Sequence, residues 1–201
     1  MARIAEEAEK TGQRVFTLEL HVDYWNQLGW VDPFSDPKHS ARQGAYATQL
    51  EARGIYTPQL LVNGREELVG SNISGSRAAI ARALQTPTSA SVSVAAQRRD
   101  GAIDVAYRVG APRAVELNVA LAEDSTQTHV SRGENADRLL RHRHVVRAFR
   151  SVRVAGDTTG SLSVPWQGKG ASARVFVVAY ASDPATLAVM GADARFVPAA
   201  H

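Results

Sequence analysis

The sequence changes its pattern near residue 88, and this change limits the folds that the chain can adopt. After Pro87, apolar residues fall in short alternating runs that are separated by turn signals such as Asp-Gly. The runs are SVSVAAQR, AIDVAYRV, VELNVALAE, SLSVPWQ and ARVFVVAYA. Short strands at regular spacing are typical of an antiparallel β-sandwich or an open barrel. We therefore predict a β-sandwich-like domain over residues 88–201.

Residues 1–87 have a different pattern, which predicts an α/β domain. The predicted elements, in order, are a helix ending near residue 10, a strand at 15–22, a helix at 37–53, a hairpin at 59–71 and a helix at 74–86. Asp36 or Ser35 can cap the second helix, and Pro37 suits its first position. Asn63-Gly64 is a strong hairpin signal and predicts the turn between the two strands of the hairpin.

Residue content excludes several functions. The chain has no cysteine, so disulfides, thiolate metal sites and thiol catalysis cannot form within these 201 residues. The net charge is +3, and the arginine-rich run at 138–153 contains a single aromatic residue, Phe149. Binding of single-stranded nucleic acid usually needs several aromatic side chains for base stacking, so we predict no nucleic-acid partner. No apolar run approaches the roughly 20 residues of a membrane helix, so we also predict no membrane span.

Two groups of polar residues are candidate sites. His21, Asp23 and His39 have the residue types of a zinc or iron site. The competing interpretation is that Asp23 caps a loop while His21 is partly buried, and on that basis we predict no metal and no other cofactor. Asp32-Pro33 and Asp36-Pro37 are better explained as turn and capping signals than as paired catalytic acids. We therefore assign no catalytic residue.

The arginine-rich run is predicted to be an edge strand of the second domain. In a strand, His142 and His144 lie on one face, and Arg141 and Arg143 lie on the other. A solvated face that contacts anions is the expected role of this run.

The first domain resembles thioredoxin in the order of its elements. The segment ARGIYTPQLLVNGRE (52–66) is similar to the thioredoxin segment that leads through a cis-proline into an antiparallel hairpin. The resemblance implies a cis bond at Thr57-Pro58, which occurs at only about 5% of X-Pro bonds. It also implies a central first strand, between 15–22 and 59–63, that this sequence lacks.

A narrower resemblance covers most of the chain, from about Val15 to Phe196. The motifs HVDYWNQLGWVDPFSDP, ARQGAYA, YTPQLLVNGR and RGENADRLLRHRHVVRAF resemble an uncharacterised bacterial family of secreted thioredoxin-like proteins, domain-of-unknown-function family 1223. Members of that family normally begin with a signal peptide, a strand and a Cys-x-x-Cys helix. We expect the coding sequence upstream of Met1 to continue in frame into these elements, and an in-frame stop codon there would refute this.

The resemblance leads to two functional expectations. The first is a periplasmic or secreted thiol–disulfide oxidoreductase that is inactive in this cysteine-free form. Its substrate groove would be lined by Thr57, Pro58, Gln59, Asp23, Trp25 and Trp30. The second is a non-catalytic envelope scaffold that contacts a protein or peptide partner through the β-sandwich. Strand edges that the missing strand leaves unpaired suggest a homodimer.

Overall fold

The structure is a computed structural model that describes residues 2–130, 138–166 and 174–197. Within these residues the chain is mixed helix and sheet, and all ladders between its strands are antiparallel. The helices are α1 (Ala2–Thr11), α2 (Pro37–Gln49) and α3 (Ile73–Gln85). The strands are β1 (Gln59–Val62), β2 (Glu66–Val69), β3 (Ser91–Arg99), β4 (Ala102–Gly110), β5 (Val115–His129), β6 (Leu139–Val154), β7 (Thr158–Pro165), β8 (Val175–Ser182) and β9 (Val189–Val197). The motif that starts at residue 132 therefore begins outside the described residues.

Local capping signals determine where α2 begins. The Asp36 side chain accepts a hydrogen bond from the Lys38 amide at 2.8 Å, and Pro37 occupies the first helical position, as predicted. The helix ends at Gln49, several residues before the predicted stop at Gly54.

Among the described residues, no helix has both the length and the apolar content needed to cross a membrane.

Seven of the strands form two antiparallel sheets. One sheet has three strands in the order β3-β4-β7, and the other has four in the order β6-β5-β8-β9. Both sheets contribute side chains to one apolar cluster, in which Ile103 and Val105 of β4 meet Leu117 and Leu121 of β5. These four side chains are fully buried. The alternation seen in the sequence therefore directs one face of each strand into a shared core.

The four-stranded sheet is covered on its other face as well. Phe176, Val178 and Tyr180 of β8 form a second apolar cluster there, against which Phe16 and Leu18 pack. As a result every residue of β8 is buried. The prediction that this run, ARVFVVAYA, alternates like the other strands is wrong for β8. A strand that is covered on both faces is apolar along nearly its whole length, as VFVVAYAS is.

Contacts from α2 and the β1–β2 hairpin join the first 87 residues to this covered face. The Arg42 guanidinium lies 4.5 Å from the ring centroid of Phe149 and donates a hydrogen bond to the Tyr180 hydroxyl. At the hairpin tip, the Asn63 carbonyl accepts a hydrogen bond from the Val189 amide at 2.8 Å. The hairpin turn at Asn63-Gly64 is where the sequence predicted it.

The Thr57–Pro58 peptide bond is cis in this structure. It lies directly before β1, in an exposed stretch of backbone.

The prediction of a regular strand at 15–22 is wrong. This segment is extended but makes only isolated bridges, one of them between Glu19 and Val145 of β6. The Glu19 amide donates to the His144 carbonyl at 3.0 Å, and the Val146 amide donates to the Glu19 carbonyl at 2.9 Å. His144 has a φ of 54°, a conformation that interrupts a regular strand, so the edge of β6 supports only a short bridge.

We expect the shared core to dominate stability. Leu117→Ala removes a fully buried side chain from β5, so the free energy of unfolding should fall by about 2–5 kcal/mol. Leu139→Ala is the matched control, because Leu139 is 52% exposed, and it should change the value by about 0.5 kcal/mol or less. Urea unfolding followed by circular dichroism measures both. Equal losses in the two variants would contradict this assignment of the core.

Candidate functional site

Two predicted groove segments that are distant in sequence meet at the surface. Trp25 precedes a short 3-10 helix at Asn26–Leu28, and its indole Nε1 donates a hydrogen bond to Thr57 Oγ1 at 3.0 Å. The Trp25 side chain remains 50% exposed, and Thr57 and Pro58 are also exposed. We call the surface formed by Trp25, Thr57, Pro58 and Gln59 the rim.

A polar network supports the rim from below. The Gln43 amide nitrogen donates to the Tyr56 carbonyl at 2.9 Å and to Gln59 Oε1 at 2.8 Å. Gln59 in turn donates to Glu67 Oε2 at 3.1 Å, and the Tyr56 hydroxyl donates to the same carboxylate oxygen. The Tyr24 hydroxyl completes the network by donating to Gln43 at 3.0 Å. Sequence reasoning missed Gln43, Tyr56 and Glu67 because no motif links α2 to the hairpin.

The electrostatics of this network favour a neutral phenol. Burial and the hydrogen bond to the Glu67 carboxylate together raise the pKa of Tyr56 to about 12. Ionised Tyr56 would place a second negative charge beside Glu67, which explains the direction of the shift.

The other two predicted groove residues do not join the rim. Asp23 accepts a hydrogen bond from the Ser40 hydroxyl, and the Asp23 amide donates back to Ser40 Oγ at 3.2 Å. These bonds fasten the loop to α2, so Asp23 has the structural role of the competing interpretation. Trp30 is half-buried, and within the described chain its indole makes neither a hydrogen bond nor a ring contact.

The three residues of the candidate metal triad, His21, Asp23 and His39, do not converge on one point. His39 is buried in α2, with Nδ1 3.0 Å from the His21 carbonyl oxygen, while Asp23 is held by Ser40. A different group surrounds His21: candidate ligand atoms of Glu19, His21 and His142 all lie within 4.8 Å of one another. The sequence did not indicate this group, because His142 lies in β6, more than 100 residues after His21.

Asp32 has the turn function that the sequence predicted. Its Oδ1 accepts a hydrogen bond from the Phe34 amide at 2.9 Å, and its Oδ2 lies 2.6 Å from His21 Nδ1. Burial alone would raise the pKa of Asp32, but the hydrogen bonds from His21 and Phe34 outweigh burial and lower it. The carboxylate is therefore ionised at neutral pH and holds the imidazole of His21 in one orientation.

Comparisons with known proteins show a family for this chain and a similar solved structure. The model of a family described as "Protein of unknown function (DUF1223)" matches residues 2–180. The chain also resembles the X-ray crystal structure of protein AGR_C_4864 from Agrobacterium tumefaciens, a structural genomics target. The identity is 25% and the TM-score 0.68, over 94% of this chain and 83% of that chain. A comparison with curated proteins gave no significant match.

The raised pKa of Tyr56 gives a prediction about alkaline stability. Because the folded-state pKa of about 12 exceeds the unfolded value of about 10, the contribution of Tyr56 is complete below pH 10. It is lost as the pH rises toward 12. The stability difference between the wild type and Tyr56→Phe should therefore shrink between about pH 9 and pH 12. Urea unfolding across this range measures the difference, with Tyr107→Phe as the control. A constant difference would contradict the assigned cause.

Proposed function

Because the chain belongs to the family of proteins of unknown function DUF1223, we propose a function from its own residues. The proposal is a thioredoxin-like protein that binds an extended segment of a partner polypeptide at the rim. The hydrogen bond between Trp25 and Thr57 carries the proposal, because it joins two predicted groove segments that are 32 residues apart.

The side chains of the rim suit a polypeptide ligand. Trp25 is half exposed yet held in place by its bond to Thr57, and Ile55 nearby in sequence is 47% exposed. A fixed, accessible tryptophan offers a large apolar surface with little loss of conformational entropy on binding. The Gln43 side chain holds the segment before Thr57 by donating to the Tyr56 carbonyl, and it also donates to Gln59, which in turn donates to Glu67.

The backbone beside the rim offers a second means of recognition. Among the described residues, β1 pairs only with β2, in a two-stranded sheet. The free edge of β1 presents peptide groups that an extended chain can pair with, as in recognition by strand addition. A second copy of the protein is the alternative occupant of this edge. Light scattering distinguishes the two, since a stable dimer without added peptide would favour the homodimer.

Contact through the outer sheets receives less support. The four-stranded sheet is already covered on both faces, by the shared core and by the first 87 residues. The free face of the three-stranded sheet carries mainly small or polar side chains such as Ser93, Ala106 and Ser161, which give few anchors for a partner.

A thiol–disulfide oxidoreductase is the second candidate. The rim consists of residues that the thioredoxin resemblance assigns to a substrate groove, and the half-exposed Trp25 would contact a disulfide-containing substrate there. The thiols must come from residues outside this sequence, since it contains no cysteine.

The same resemblance supports a periplasmic or secreted location. Fractionation of cells that express the complete gene product tests that location.

A reduction assay tests the oxidoreductase. The natural open reading frame, if it contains an upstream Cys-x-x-Cys, should reduce insulin disulfides, and Trp25→Ala should raise its KM. The present 201 residues should show no turnover, because they carry no thiol. An upstream Cys-x-x-Cys form without turnover would end this candidate and leave polypeptide binding standing.

Binding of a fluorescent, reduced and carboxymethylated unfolded protein tests the main proposal. Trp25→Ala removes the exposed indole and its bond to Thr57, so the dissociation constant measured by anisotropy should rise about tenfold or more. Leu84→Ala is the control, because Leu84 is 43% exposed but lies on α3, outside the rim. Unchanged binding in Trp25→Ala, or equal losses in both variants, would contradict the proposal.

A further inference from the structure

A second group of side chains lies where the amino-terminal segment meets β6. Glu19 and His21 alternate along the extended segment and so project to one side of it. The bridge between Glu19 and Val145 holds this segment beside β6, which contributes His142. We call Glu19, His21 and His142 the histidine cluster.

The cluster has dimensions suited to a single ion. His142 Nδ1 lies 3.4 Å from Glu19 Oε2, and the ring centroids of His21 and His142 are 4.8 Å apart. The potential ligand atoms all lie within 4.8 Å of one another. Nitrogen and oxygen ligands about 2.1 Å from a tetrahedral ion lie about 3.4 Å apart, so small side-chain rotations bring the three onto one ion.

Asp32 already orients one of the two imidazoles. Its carboxylate contacts His21 Nδ1 at 2.6 Å, which leaves Nε2 as the free nitrogen of that ring. A carboxylate on the far nitrogen is the usual support for a metal-bound histidine, because it fixes both tautomer and ring orientation. The Phe34 amide holds Asp32 in turn, at 2.9 Å.

The surroundings favour a cation without closing the cluster to solvent. The side chains of His21, His142 and Glu19 are 14%, 16% and 27% exposed. Phe34 forms one wall, with its ring centroid 5.5 Å from that of His21. The cluster and Asp32 bring two carboxylates beside two imidazoles. The Arg147 guanidinium lies 4.7 Å from the Phe34 ring centroid.

We propose that Glu19, His21 and His142 bind one divalent transition-metal ion, preferentially zinc, with Asp32 as the supporting residue for His21. Two histidines and one carboxylate form a ligand set that zinc and ferrous iron use, whereas Ca²⁺ and Mg²⁺ prefer oxygen ligands alone. Three protein ligands leave a coordination position for water or for a ligand of the ion. The ion would also join the amino-terminal segment to β6.

Zinc titration of the chelator-treated protein against a chromophoric chelator tests the site. The wild type should bind one Zn²⁺ per chain, and His21→Ala and His142→Ala should each weaken binding at least 100-fold. Asp32→Asn should weaken it about 10–100-fold, because it perturbs the support of His21 and leaves all three ligands in place. His129→Ala is the matched control: His129 is an exposed histidine on β5, and its loss should leave affinity unchanged.

Two further measurements keep the test decisive if a histidine variant folds poorly. Glu19→Gln preserves side-chain size and should also reduce affinity, with circular dichroism confirming the fold. Zn²⁺ should raise Tm in the wild type and in His129→Ala but not in His142→Ala, because an ion that binds only the folded state stabilises it. Wild-type-like zinc affinity in His21→Ala and His142→Ala, or absence of binding by the wild type, would overturn the proposal.

Discussion

The burial of β8 on both faces is the constraint on which the rest of the structure depends. One face of this strand lies in the core that the two sheets share, and the other receives Phe16 and Leu18. Full burial of a valine or phenylalanine side chain stabilises the folded state by about 1.5–3 kcal/mol. Because β8 contributes such side chains to both clusters, this strand holds the two apolar layers together. Phe176 and Tyr180 consequently fix the position of the amino-terminal residues relative to the sheets.

That arrangement positions the residues of both proposed sites, the rim and the histidine cluster. Loops held by a rigid scaffold can present exposed side chains at fixed positions, as Trp25 and Thr57 are presented at the rim. The histidine cluster depends on the docking more directly, because Glu19 and His21 reach His142 only while the segment lies along β6. All rim residues lie within the first 87 residues, whereas the cluster joins Glu19 and His21 to His142 of β6.

Local signals made much of the fold predictable. Asp36 and Pro37 begin α2, and Asn63-Gly64 forms the hairpin turn, because each acts through bonds or backbone angles within a few residues. The segment at 15–22 was predicted wrongly, since its β-branched residues fit an extended backbone but a ladder also needs a regular partner. Asp23 and Trp25 lie two residues apart in the same loop, so the sequence did not distinguish their roles. Asp23 bonds to Ser40 of α2, whereas Trp25 bonds to Thr57 at the rim. The pairing of His21 with His142 depends on tertiary docking, which no local pattern encodes.

The hairpin tip has a consequence for how this chain can vary. A Cβ atom at Gly64 would lie 2.6 Å from the Leu187 carbonyl oxygen and 2.8 Å from the Tyr46 ring, and the residue has a φ of 61°. Both the space and the backbone angle therefore require glycine there. Surface turns usually tolerate substitutions and insertions, but this one is wedged between α2 and the loop before β9. Gly64 is buried, so a substitution there would separate the hairpin from α2 and from the loop before β9.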